Sequence, residues 1–291
     1  MRVELPKIGV VFSSGFFGFF AHAGFLAALR HLGIVPSAYG GASSGAIVAA
    51  MAACGMSDAA IRDMLFRVKK EDFWDPDPWR FILKKAIRLF RGYDGYLNGG
   101  GFAKLLGKFP VREIQDCERP LAIAATDLTH KKEVIFTKGA LVKAVHASCA
   151  VPMLFKPAEI EGALYVDGGM INKAPLKGLA DLAELEKIIV HFIPSYNLHD
   201  SGNGFLKKRM TPWHIHDLSV NICRHEAYQR QLEIVRMKGI EVIEVNTAAP
   251  AVGPTRLHKG PVAYEKAKAV AMKILSESIS TAAGSFPGKA V

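Results

Sequence analysis

Cysteine is scarce in this chain. Cys54, Cys117, Cys149 and Cys223 are the four among 291 residues, and no two have paired spacing. That excludes a disulfide framework and a thiolate metal site, and the four read as buried, reduced thiols with no need of an oxidising compartment. Acidic residues are outnumbered, 27 against 37 basic, which leaves a formal charge of +10. Such a balance favours anionic partners, either a membrane surface or nucleic acid. No internal repeat or low-complexity tract occurs, which leaves one compact domain as the simplest account. Formal charge is absent altogether from Ile8 to Leu29 unless His22 is protonated. A run of that length can span a membrane. It also follows Arg2, Glu4 and Lys7 and contains Ala21-His22-Ala23, in imitation of a signal-peptidase site. Against both readings, Ser13, Ser14, Gly15, Gly18 and His22 within it suit a tight turn better than lipid.

What is present follows the rhythm of a parallel sheet with helical crossovers. Lys7 to Phe12 is a short apolar, β-branched run, predicted as a buried strand that the Ser/Gly cluster breaks. A helical pattern covers Phe19 to Leu32, closed by Gly33 and Pro36. A strand or turn at Tyr39 to Gly41 then leads into an Ala-rich helix from Gly45 to Cys54. Later strands are predicted at "PLAIAATDL", "KKEVIFTKG", "LEKIIVHFIP" and "GIEVIEVN", with a hairpin in "IEGALYVDGG". Helices are predicted at "LVKAVHASCA" and from Val262 to Ser278, before a frayed tail from residue 283. Residues 57–118 show no clear strand and read as an inserted helical cap, with either a glycine hinge or a flexible loop at Gly99 to Gly101. Residues 195–211 read as a mobile loop.

Three motifs carry chemistry. Gly41-Ala42-Ser43-Ser44-Gly45 is a G-x-S-x-G nucleophile elbow between a predicted strand and a helix. Gly41 and Gly45 let strand and helix pass, and the helix N-terminus with the Ser44 N–H faces developing negative charge. In "YVDGGMINKAPL", Asp167 ends a strand ahead of Gly168, Gly169 and Asn172, which is either a plain reverse turn or a carboxylate presented on the sheet edge of Ser43. The Ser-Ser-Gly-Phe-Phe-Gly loop after the first strand offers backbone donors to an oxyanion. Gly15 and Phe16 are the expected donors, with Ser14 and Gly18 supporting the turn.

A glycine-bearing loop after strand one, an early "GASSG" and a late "DGG" together resemble the patatin-like phospholipase family. The stretches "AATDLTHKKEVIFTKG" and "HASCAVPMLFKP" do so as well, and the likeness covers roughly residues 8 to 183. It implies a three-layer α/β/α sandwich with a mainly parallel central sheet. It implies a serine–aspartate dyad, with Ser43 as nucleophile and Asp167 as its base. It further implies hydrolysis of lipid acyl esters with no metal and no cofactor. Gly15 and Gly18 match the family's oxyanion loop. This chain departs from the pattern in having Ser13 and Ser14 where glycines are usual, and one extra residue before Gly24. Phe16, Phe17, Phe19 and Phe20 are expected to add apolar surface at the mouth of the site. On this reading the charge-free run is a strand, a loop and a buried helix. A cleaved signal peptide is therefore not expected, and a cytoplasmic, possibly membrane-associated protein is.

Residues 79–91, "WRFILKKAIRLFR", form a basic amphipathic pattern suited either to anionic lipid or to packing as a cap helix with a solvated basic face. "RHEAYQR" begins like a zinc-protease helix, but Gln229 stands where a second histidine would be needed. No Gly-Lys-Ser/Thr follows the opening loop, so a phosphate-cradling nucleotide site has little support. Two alternatives accompany the dyad. One is a Ser-His-Asp triad recruiting His191, His199 or His214. The other is a lipid-binding protein of the same fold without turnover. A nucleic-acid partner rests on charge alone and is not expected.

Overall fold

A computed structural model describes residues 7–78, 95–194, 211–247, 250 and 252–284. Strand β1 (Ile8–Phe12) leads into helix α1 (Phe19–His31), then β2 (Ala38–Ala42), α2 (Ser44–Ala53) and α3 (Asp58–Phe66). After β3 (Gly95–Leu97) and α4 (Gly100–Leu106) come β4 (Leu121–Asp127), β5 (Lys132–Phe136) and α5 (Leu141–Cys149). The chain continues through β6 (Met153–Phe155), β7 (Ala158–Ile160), β8 (Ala163–Asp167), α6 (Leu176–Leu182) and β9 (Lys187–His191). It closes with α7 (Pro212–Met237), β10 (Glu241–Val245) and α8 (Gly260–Gly284).

The main sheet runs β10-β9-β1-β2-β4-β8-β7, with β5 also on β4. Pairings from β10 to β4 are parallel, and those of β4 with β5 and β8, and of β8 with β7, are antiparallel. Side chains alternate across β1: Val10 and Phe12 pack with α1, α2, α5 and α8, whereas Val11 packs with α6 and α7 on the other face. That alternation makes the three layers.

The charge-free run is explained by this placement. β1 is buried beyond its first residue, and α1 is buried from Phe19 to Leu29, because it lies between the sheet and α8. A helix apolar on all sides must have neighbours on all sides. At 13 residues α1 is too short to cross a bilayer, and among the described residues no helix is long and apolar enough to do so.

The region read as a helical cap holds α3 and α4 but also β3, which pairs with β6 in a separate two-stranded sheet. Its glycines form the turn that enters α4. The Asp75 carboxylate accepts the N–H groups of Gly99 (3.0 Å) and Gly101 (3.2 Å), capping α4. The basic segment 79–91 and the loop 195–210 lie outside the described residues. The last helix runs to Gly284, further than the pattern suggested. The cysteines are all free, but Cys223 is exposed and Cys117 half-buried, its sulfur 3.6 Å from that of Cys54.

Candidate active site

Sheet register alone brings two of the motif residues together. Ala42 lies opposite Ala124 across β2 and β4, and Ala125 lies opposite Asp167 across β4 and β8. Ser43 therefore leaves β2 at the level of Asp167, with β4 between the two strands, and both residues line one cavity.

Ser43 sits at φ 54°, ψ −126°, in backbone space that non-glycine residues rarely occupy. Strain of this kind costs about 1–3 kcal/mol and persists only where surroundings enforce it. The end of α5 does so. The Ser43 N–H donates to Ser148 Oγ at 2.9 Å, and the Ser43 carbonyl accepts the Cys149 thiol at 3.2 Å. The flanking glycines are required by close approach: a Cβ on Gly41 would lie 2.4 Å from the Gly45 carbonyl oxygen, and one on Gly45 2.3 Å from that of Phe12.

Asp167 is 4% exposed. Its carboxylate accepts the Gly169 N–H at 2.6 Å, and its carbonyl accepts the Thr126 hydroxyl at 2.9 Å. Burial raises its pKa to about 6, although the nearby Ser43 hydroxyl, the Gly169 N–H and the charge of Arg224 pull the other way. Gly168 opens the short 3-10 turn that aims Gly169 back at the carboxylate.

In the loop after β1, the N–H groups of Ser13 and Ser14 are taken by the carbonyls of His191 (3.1 Å) and Lys173 (2.7 Å). The Gly18 N–H goes to the Gly15 carbonyl at 2.8 Å, so Gly18 closes the turn. Phe16 has φ 51°. Among the described contacts the N–H groups of Gly15, Phe16 and Ser44 have no protein acceptor. Of the four phenylalanines, Phe16, Phe17 and Phe19 line the cleft beside Ser43, but Phe20 is 1% exposed and turns into the core against Phe66.

That cleft encloses about 800 Å³, part of it open to solvent, and is apolar: Phe73, Phe102, Leu106 and Phe155 join the loop phenylalanines. A second cavity of about 970 Å³ meets it at Ser43, Phe16 and Val151. The second one is the more polar of the two, with Ser14, Asp167, Lys173, Asn221 and Arg224 in its lining.

No described histidine lines either cavity. His191 is fully buried, and both its ring nitrogens are engaged, with His22 Nδ1 at 2.7 Å and Thr247 Oγ1 at 2.8 Å. His22 Nε2 reaches the Ser13 carbonyl at 2.9 Å. A carbonyl only accepts, so His22 carries its proton on Nε2 and takes one at Nδ1 from His191, whose Nε2 accepts the Thr247 hydroxyl. Burial holds His22 neutral, its pKa lowered to about 3, and that of His191 well below the usual range. His199 and the side chain of His214 lie outside the described residues. The sequence reading gave no role to Lys173 or Arg224; the signal available was a lysine directly after "DGGMIN" and an arginine within "RHEAYQR".

A three-layer α/β fold with a strained serine after a central strand, level with a buried carboxylate and beside an apolar cleft, defines a class of proteins built like lipases. The chain belongs to the patatin-like phospholipase family, whose model matches residues 10–180. Among curated relatives, an uncharacterized NTE family protein of Mycobacterium tuberculosis is 28% identical over 184 residues, 60% of this chain and 46% of that protein. Lysophospholipase NTE1 of Cryptococcus neoformans is 26% identical over 185 residues, 63% of this chain and 11% of that one. The chain thus spans less than half the length of these relatives. Among solved structures, VipD from Legionella pneumophila is similar at 14% identity with a TM-score of 0.49, over 94% of this chain and 67% of that one.

Proposed function

We propose that this chain is a lipid acyl hydrolase of the phospholipase or lysophospholipase type, working through Ser43 and Asp167. The observation that carries the reading is a strained Ser43 and a buried Asp167 brought by sheet register to the place where an apolar cleft meets a second, more polar cavity, both residues lining the latter. Ser43 Oγ attacks the ester carbonyl while Asp167 takes the hydroxyl proton. The oxyanion faces the N–H groups of Gly15, Phe16 and Ser44, at the N-terminus of α2. Collapse expels the alcohol, which takes the proton from Asp167, and leaves an acyl group on Ser43. Water then attacks that acyl group with Asp167 as base, and fatty acid and free serine result. A carboxylate with a pKa near 6 is suited to both directions of proton transfer.

The triad alternative is disfavoured by His191, whose two nitrogens are spent inside the core. A fluorophosphonate probe followed by mass spectrometry tests the proposal. Label on Ser43 that is lost in Asp167→Asn and kept when histidines are replaced supports the dyad. Wild-type protein that neither labels nor cleaves lipid esters, with or without anionic vesicles, favours the non-catalytic lipid-binding reading. Vesicles also probe a peripheral membrane contact through residues 79–91.

A further inference from the structure

The apolar cleft leaves the polar cavity on the far side of Ser43 without an assignment. Three of the polar side chains in its lining are nine-tenths or more buried and incompletely satisfied. Lys173 is 1% exposed; its ammonium donates to the Ile193 carbonyl at 2.6 Å and rests 4.9 Å over the ring of Phe192. An ammonium has three donors, and among the described contacts no carboxylate pairs with this one. The Ser14 hydroxyl is buried with no hydrogen-bond partner, and so is Asn221 Oδ1, whose amide nitrogen donates to Asp217 at 3.2 Å. Arg224 adds a second cation, donating through Nη1 to the Gly169 carbonyl at 3.2 Å. The acids facing the cavity are Asp167 and Asp217.

Burying a lysine beside an arginine is costly unless an anion comes between or beside them. The charge of Arg224 adds to burial in lowering the Lys173 pKa to about 7. An orphan hydroxyl donor next to two cations completes a donor set for phosphate oxygens. Its position is also informative. Ser43 must hold the ester carbon, so an acyl chain in the apolar cleft sends the alcohol portion into the polar cavity.

Resting on the hydrolase reading above, we propose that Lys173, Arg224 and the Ser14 hydroxyl form a subsite for the phosphate of a glycerophospholipid headgroup, with Asn221 Oδ1 accepting a donor from the same headgroup. The substrate class is then a phosphate-bearing acyl ester, and neutral acylglycerols are poor substrates because they leave the buried Lys173 ammonium without an anion.

The test compares 1-palmitoyl lysophosphatidylcholine with 1-palmitoylglycerol in the same detergent micelles, as a ratio of kcat/KM. The wild-type ratio is expected to favour the phosphate-bearing ester by at least about tenfold, and Lys173→Met and Arg224→Gln each to lower it by about tenfold or more. A wild-type ratio near one overturns the subsite whether or not the variants fold. Variants that lose activity equally on both substrates overturn it too, since a merely structural role predicts that result. If no ester is turned over, calorimetry on the full chain decides between the two proposals. Glycerophosphocholine bound by Ser43→Ala and lost on adding Lys173→Met keeps the subsite and rejects the hydrolase. Binding of inorganic phosphate but not glycerophosphocholine, or of neither, rejects the headgroup assignment.

Discussion

Two groups of ionisable side chains are buried on either side of the loop after β1, and they are built to opposite ends. The His22–His191 pair lies beneath it, with all four ring nitrogens engaged by one another, by Ser13 and by Thr247. Asp167 faces the loop from β8, with one oxygen committed to Gly169 and its side chain in the lining of a cavity that it shares with Ser43. Both sites are desolvated, and in both the shift favours the neutral form. What separates them is vacancy. The histidines have no unused lone pair or proton and no route to a substrate, so their perturbed pKa values are structural. Perturbation alone would have nominated them as catalysts; geometry assigns them to the core.

The comparison can be broken in order of effect. Ser43→Ala should lower lipid ester hydrolysis by about 10³-fold or more, measured as kcat. Asp167→Asn should cost nearly as much activity yet stabilise the fold. A folded-state pKa above the unfolded value means the stability contribution of this group is full below about pH 4 and is lost as pH rises through about 6. The Asn variant should therefore gain on the order of 1–3 kcal/mol over wild type at pH 8 and little at pH 4, as thermal melts would show. A loss of stability at pH 8 would contradict the assignment of burial as the cause. In wild type, log kcat/KM should climb with unit slope below about pH 6 and level off above it; a midpoint near 4 would mean that Asp167 is solvated when it acts. The mildest functional effect is expected from His191→Asn. It should cost about 2–4 kcal/mol in denaturant unfolding by orphaning His22 and Thr247. Folded protein should nonetheless keep activity within about tenfold of wild type, whereas a triad histidine would not allow that.

Much of this arrangement was legible in the sequence because it is local. The strand–loop–helix at residues 8–31, the glycine-flanked Ser43 and the strand-ending Asp167 each announce themselves within a dozen residues, through periodicity and turn chemistry. Their meeting was not local: a strand-ending Asp-Gly reads equally as a plain turn, and the family likeness favoured the pairing before the register of β2, β4 and β8 was known. What escaped depends on distant packing. Phe20 has the same composition around it as Phe16 but turns inward, because α1 is roofed by α8. Gly99 to Gly101 resemble a hinge until Asp75, more than twenty residues earlier, caps them. Lys173 and Arg224 look like solvated charges in the sequence. They share a buried cavity because α7 lies over the turn that follows β8.

The direction of the His22–His191 chain has a use of its own. Each ring is fixed in one tautomer, and its single N–H proton points at an acceptor inside a sealed core. Those two protons should appear as discrete low-field resonances in a proton NMR spectrum and should outlast ordinary imidazole protons in deuterated water. Because they lie under the loop and line neither cavity, their exchange times how often the molecule opens beneath the candidate site. That clock runs with or without substrate, so it can be read in the resting protein and again with a lipid bound.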